Sequence, residues 1–224
     1  MKTIQIKVFT LNELPPEARE KALGKYRHLN MEDGFWYDFL FDGFITLCKT
    51  IGIEVDSKTI YFNDFYSQGS GSKFNAKVDV LKFLNGIETQ AWRAYAPNLE
   101  LSIQPFPLDK RIKALIENGV IDSDCTVQNP SRGYWTKVET SFNYFDNQCR
   151  NYRCIDSQLS LLEKWLEGAI ERLNQYLYKS LQDEYEYQSS DEVVEEAIIS
   201  NGYYFTIDGK QAQGLFAIEA VTEA

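Results

Sequence analysis

The apolar positions of this chain change period several times, and each change predicts an element. Ile4, Ile6 and Val8 alternate with Gln5 and Lys7, so residues 3–9 read as a first strand. Leu14-Pro15-Pro16-Glu17 then opens a helix. Proline is tolerated in a first helical turn, and Glu17 and Glu20 suit the positive end of the dipole. Ala18, Ala22, Tyr26 and Leu29 follow at helical spacing. A second, aromatic helix is expected from about Met31 to Thr50. It would carry Phe35, Phe39, Gly43 and Leu47 on one stripe, with Trp36, Leu40 and Phe44 beside it and Gly52 as C-cap. Strand character returns at Ile53, Val55 and Ile60-Tyr61-Phe62. After a glycine-bearing loop, Phe74, Ala76, Val78 and Val80 alternate with polar neighbours, which together predict a hairpin. Further on, the Trp92 region reads as a short helix, 99–103 as a strand, and 108–118 as a helix closed by Gly119. Strands are expected near 120–128 and 134–145, joined by Asn129-Pro130-Ser131-Arg132-Gly133.

The clearest periodicity runs from Asp156 to Leu181. Leu159, Leu162, Leu166, Ala169, Ile170, Leu173 and Leu177 recur at spacings of three and four, predicting a helix of roughly 40 Å. Its tail, Asp183-Glu184-Tyr185-Glu186-Tyr187, places acids where the dipole prefers cations, so it is expected to fray or to meet a positive group. Ser189 and Glu192 suggest a capping box for a short helix through Ile199, ended by Asn201-Gly202. Residues 203–207 read as a strand with Asp208-Gly209 as its turn. The pattern gives an α+β fold: a mixed, mainly antiparallel sheet packed by a long amphipathic C-terminal helix and by N-terminal helices. One compact domain, 1–224, is expected, with 147–154 as the candidate boundary.

Composition narrows the class. Of 224 residues, 44% are apolar and 14% aromatic, enough for a real core and against disorder. The N-terminus has no continuous apolar stretch of the signal-peptide kind, and no run approaches the roughly 20 apolar residues of a spanning helix. A cytoplasmic location is therefore expected. Cys48, Cys125, Cys149 and Cys154 read as free thiols, and none forms the close pairs of a zinc site. With one histidine, the chain is expected to need no metal and no cofactor. Charge is the strongest compositional signal. Residues 1–154 carry 19 Lys+Arg and 19 Asp+Glu, whereas residues 155–224 carry 4 and 14. An acidic end excludes a nucleic-acid backbone as direct partner and favours a basic protein.

Two candidate sites follow. The first is the acidic run Asp183, Glu184, Glu186, Asp191, Glu192, Glu195 and Glu196, interleaved with Tyr185 and Tyr187, which supply apolar contact area. It reads either as a protein-binding surface or as a solvated face. The second is the 64–74 loop, where Tyr66, Ser67, Gln68, Gly69, Gly71 and Lys73 offer amides, hydroxyls and a cation to a small ligand. It fails the phosphate-loop pattern, since a strand follows and the glycines are two apart. His28, the single imidazole, has no nucleophile motif beside it, and no pair of carboxylates stands out, so no catalytic residue is assigned. Arg132 ahead of Gly133-Tyr134-Trp135 offers a cation–π contact or a ligand edge.

Three stretches carry a family resemblance. They are Leu14-Pro15-Pro16-Glu17-Ala18-Arg19-Glu20-Lys21-Ala22 with Tyr26-Arg27 and Asn30 after it, then Phe62-Asn63-Asp64-Phe65-Tyr66-Ser67-Gln68-Gly69-Ser70-Gly71, and the 190–209 segment ending in Asn201-Gly202-Tyr203-Tyr204-Phe205-Thr206-Ile207-Asp208-Gly209. Together they resemble a family of bacteriophage and prophage accessory proteins, some with an antitoxin-like label. Tyr66 and Ser70 stand where that family's loop has tryptophan and aspartate. The resemblance implies a phage gene product acting in bacterial cytoplasm, without catalytic residues to carry over. The expected function is an acidic inhibitor of a bacterial defence effector, such as a CRISPR or other nuclease. It would work by occupying a basic surface. The alternative is a small-ligand or nucleotide-binding protein that uses the 64–74 loop.

Overall fold

The computed structural model describes residues 7–32, 34–144 and 154–212. Helices are α1 (Pro16–Tyr26), α2 (Asp38–Thr50), α3 (Val80–Glu88), α4 (Lys110–Glu117), α5 (Ile155–Gln188) and α6 (Asp191–Ser200). Strands are β1 (Ile53–Val55), β2 (Tyr61–Phe62), β3 (Ser72–Lys73), β4 (Ala76–Val78), β5 (Asp122–Gln128) and β6 (Lys137–Asn143). The fold is α+β, with a four-stranded antiparallel sheet and a long C-terminal helix. The chain divides into two compact units, one made of residues 1–37 and 183–224, the other of 38–182. The candidate boundary at 147–154 lies, apart from Cys154, outside the described residues.

The first unit is built on α1 and α6. Pro16 sits in the first turn of α1, which buries Ala18, Ala22 and Leu23. These meet Leu11, Leu14, Val194, Ile198 and Phe205 in one apolar cluster. The strands expected at 3–9 and 203–207 are reduced, among the described residues, to bridges of Phe205 with Phe9 and with Gln211. Phe9 and Phe205 exchange both backbone hydrogen bonds at 2.8 Å. The Asp208-Gly209 turn presses on α1: a Cβ at Gly209, whose φ is +77°, would lie 2.4 Å from the Ala18 carbonyl oxygen. Only glycine fits that approach. The acidic tail does not fray, since α5 stays helical through Gln188. Ser190, not Ser189, is the N-cap of α6, and the Ser189 hydroxyl donates to the Tyr185 carbonyl instead.

In the second unit the sheet order is β1-β4-β5-β6, and β2 pairs separately with β3. β5 and β6 pair over seven residues each, from Asp122 opposite Asn143 to Gln128 opposite Lys137. The glycine-bearing loop joins β2 to β3, but β4 turns away to pair with β1 and β5. Val80 does not continue that strand. It begins α3, because the Asp79 carboxylate caps the helix by accepting from the Lys82 amide at 3.0 Å. α2 starts later than its aromatics suggest, at Asp38, and buries Phe44, Leu47 and Cys48. Phe35 and Phe39, expected on the core stripe, are 73% and 57% exposed. Segment 99–103 buries Leu101 and Ile103, as alternation requires, yet joins no ladder among the described residues. The Ile103 amide bonds locally to the Leu101 carbonyl. Helix α5 has 34 residues and so runs about 51 Å. Its apolar stripe, Leu159 through Leu181, is buried, and Trp165 meets Phe83 of α3 at 5.2 Å between ring centroids.

Candidate functional site

The acidic run is divided by the geometry of α6. Val194 and Ile198 face the core, which places Asp191 and Glu195 along one flank and turns Glu192, Glu196 and Ile199 outward. The flanking acids are paired within the unit. Arg19 holds Glu195 at 2.5 Å, and Arg27 holds Asp191 at 2.6 Å while also donating to the Ser189 carbonyl. Glu184 accepts from Gln188 at 2.7 Å. Tyr185 is half-buried, with the His28 ring at 6.0 Å and the Trp36 ring at 6.1 Å between centroids. His28 itself lies just past the end of α1, exposed to solvent. Tyr187 is 60% exposed and Ile199 54% exposed. Asp183 and Glu186, three apart near the end of α5, are also exposed. In α6 the run thus separates into acids that tie it to α1, Asp191 and Glu195, and acids that face water, Glu192 and Glu196.

The 64–74 loop is closed by its own hydrogen bonds. The Asn63 carboxamide oxygen accepts from the Gly71 amide at 2.8 Å, and the Ser70 hydroxyl donates to the Ser67 carbonyl at 2.6 Å. Asp64 accepts from the Tyr66 amide, and this bond together with one from Ser67 holds its carboxyl below the ordinary carboxylate range. Lys73 lies over the rings of Tyr134, at 5.0 Å, and Tyr61, at 6.0 Å, so its charge is already engaged. The cation–π partner of the 132–135 segment is therefore Lys73.

One end of this loop, Ser70 to Ser72, closes a groove of about 680 Å³ within the second unit. The segment Tyr134 to Val138 forms one wall, and α5 forms the other with Glu167, Glu171, Asn174, Gln175 and Tyr178. Of the sequence-assigned loop residues, Gly71 lines the groove, while Tyr66, Ser67, Gln68, Gly69 and Lys73 do not. Gly71 is what lets the loop meet the opposite wall, since a Cβ there would lie 2.3 Å from the Tyr134 carbonyl oxygen. At the base, Asn174 donates to the Ser72 carbonyl and accepts from the Ser72 hydroxyl, both at 2.7 Å, fixing α5 against β3. On the rim, Trp135 is 52% exposed, with its Cδ1–Nε1 edge resting on Gly133. Sequence reasoning noted Trp135 but missed the α5 wall. The signal was present: Glu167, Glu171 and Gln175 recur every fourth residue beside a buried leucine stripe, and Asn174 interrupts that stripe.

Among the described residues, no three His, Cys, Asp or Glu side chains are placed to hold a metal ion, and no helix is long and apolar enough to cross a membrane. The family model described as domain of unknown function, DUF8835, matches residues 36–191. The chain belongs to that family. The DUF8835 segment contains every residue lining the groove, and it contains the acidic run only as far as Asp191. No curated protein and no solved structure matches the chain.

Proposed function

We propose that this protein acts by binding rather than by catalysis, and that its acidic unit docks on a basic surface of a partner protein. One observation carries the reading. Residues 1–37 and 183–224 hold 7 Lys+Arg against 15 Asp+Glu, while residues 38–182 are nearly balanced at 16 against 18. Arg19 and Arg27 are spent on Glu195 and Asp191, so the outward Glu192 and Glu196 keep their charge for a partner, with Ile199 beside them as an apolar contact. Such a surface steers association with a basic protein and repels nucleic acid. Joined to the phage-like stretches of sequence, it supports an inhibitor of a bacterial nucleic-acid-binding defence effector, acting in the host cytoplasm. The nucleotide-binding alternative has less support, because the groove beside the loop presents Glu167 and Glu171, which repel phosphate.

The test is capture of partners from bacterial lysate with the tagged full chain, at low and high salt, against the Glu192→Gln/Glu196→Gln variant. Asp191 and Glu195 are left in place because they hold α6 to α1. The expected result is one basic, nucleic-acid-binding protein, retained at low salt by the parent chain and lost from the variant. Equal retention by both would remove the acidic face from the mechanism.

A further inference from the structure

The groove of the second unit has a chemistry of its own, independent of the acidic face. Four of its side chains already donate within the chain. Asn174 donates to Ser72, Gln175 to Glu171 at 3.2 Å, Lys137 to Glu139 at 2.7 Å, and the Tyr178 hydroxyl to the Asp64 carbonyl at 3.1 Å. Acceptors are left over. The Glu167 carboxylate and the second oxygen of Glu171 stand one turn apart on the same wall of α5 and repel each other at that spacing. Across the groove stands the exposed indole of Trp135. A ligand that suits this lining supplies donors and positive charge to two carboxylates and a flat face to an indole. Phosphates and carboxylates are disfavoured by charge.

We propose that the groove between α5 and the Tyr134–Val138 segment binds a guanidinium group. A planar guanidinium carries five N–H donors in a fork that matches carboxylates, and it stacks on aromatic faces, which a compact ammonium does less well. The volume exceeds one such group and lies in the range of small-molecule and peptide sites. The guanidinium thus comes from a free metabolite or from an arginine side chain on a peptide, and the experiment separates the two.

The full-length chain, labelled with nitrogen-15, is titrated with L-arginine, with agmatine, and with a blocked Ala-Arg-Ala tripeptide. The tripeptide carrying citrulline in place of arginine is the uncharged control. The Trp135 indole N–H and the Gly71 amide are the reporters. Saturable shifts with arginine or agmatine establish a free-ligand site, and shifts with the arginine peptide alone establish recognition of a partner's side chain. In either case Glu167→Gln/Glu171→Gln is expected to weaken binding at least tenfold, and Trp135→Leu, followed at Gly71, severalfold. Both sites are solvent-exposed, so fold is checked by an unchanged spectrum elsewhere. The Glu192→Gln/Glu196→Gln variant should bind as the parent does, which keeps this result separate from that of the acidic face. Absence of saturable shifts with all three ligands overturns the proposal. So does an equal response to the citrulline peptide, or unchanged affinity in the double glutamine variant.

Discussion

At the scale of single residues, Asn174 shows how much one polar side chain decides. It lies on the leucine face of α5, 9% exposed, and both ends of its carboxamide bond to Ser72. Its carboxamide is worth more as a partner than as a group, because removing it strands the Ser72 carbonyl away from water. Asn174→Ala is expected to lower stability by about 1–3 kcal/mol in urea unfolding. Ser72→Ala should add less on top than it costs alone, since the Ser72 hydroxyl then keeps only its 3.1 Å bond to the backbone carbonyl of residue 174. Additive losses would mean that the two side chains act separately. A polar residue inside an apolar stripe was legible in the sequence as an anomaly. Its partner, 102 positions away, was not, because no local pattern links a helix to a distant strand. The same holds for Arg19 and Arg27. Their charge is plain in the sequence, but only the fold shows that they neutralise two of the acids that made the C-terminal end look uniformly open.

At the scale of elements, local pattern predicted best where one face is buried along a whole helix or strand. α1, α4 and α5 were legible for that reason, and β5 and β6 because one face of each is at least half-buried in strict alternation. It misled where alternation ran on past a cap. Val78 and Val80 keep strand spacing across Asp79, yet the Asp79 carboxylate turns the chain into α3. Partial burial raises the Asp79 pKa, but the Lys82 amide and ammonium outweigh it, so the carboxyl titrates below its ordinary value. A depressed folded-state pKa gives stability that is fully present above the unfolded value, about 4, and is lost as pH falls through the folded one. Asp79→Ala should therefore cost about 1 kcal/mol near neutrality, as N-cap losses do. The gap to the parent should close in urea melts taken progressively below pH 4. A gap that stays constant down to acid would assign the loss to packing instead of the charge. In α2 the aromatics misled in another way. Phe35 and Phe39 have the right spacing but precede or begin the helix, and burial follows Phe44, Leu47 and Ile51.

At the scale of the whole molecule, the chain divides into two compact units, and the one made of residues 1–37 and 183–224 has an apolar cluster of its own. Phe205 is fully buried in that cluster, among Leu11, Ala22 and Ile198. Phe205→Ala is expected to cost roughly 3–5 kcal/mol there. Hydrogen exchange should then rise across 7–32 and 191–212 while the β5 and β6 amides keep their protection. Equal loss in β5 would make the two units one cooperative whole. The sheet of the larger unit has its own consequence. β1 with β4, and β5 with β6, are local pairs, but β4 meets β5 only after residues 79–121 have looped out and returned. The two local pairs have the shorter loops to close, so they are expected to form ahead of the β4–β5 pairing, which φ-values at Ala76 and Val127 below those within β5 and β6 would bear out. The entropy of such a closure grows by only about 0.6 kcal/mol for each doubling of length. Within that excursion α3 and α4 are anchored in the core by Phe83 and Ile112, so the exposed Pro97–Asn98 turn is where added length would change the protein's surface while leaving the order of its strands intact.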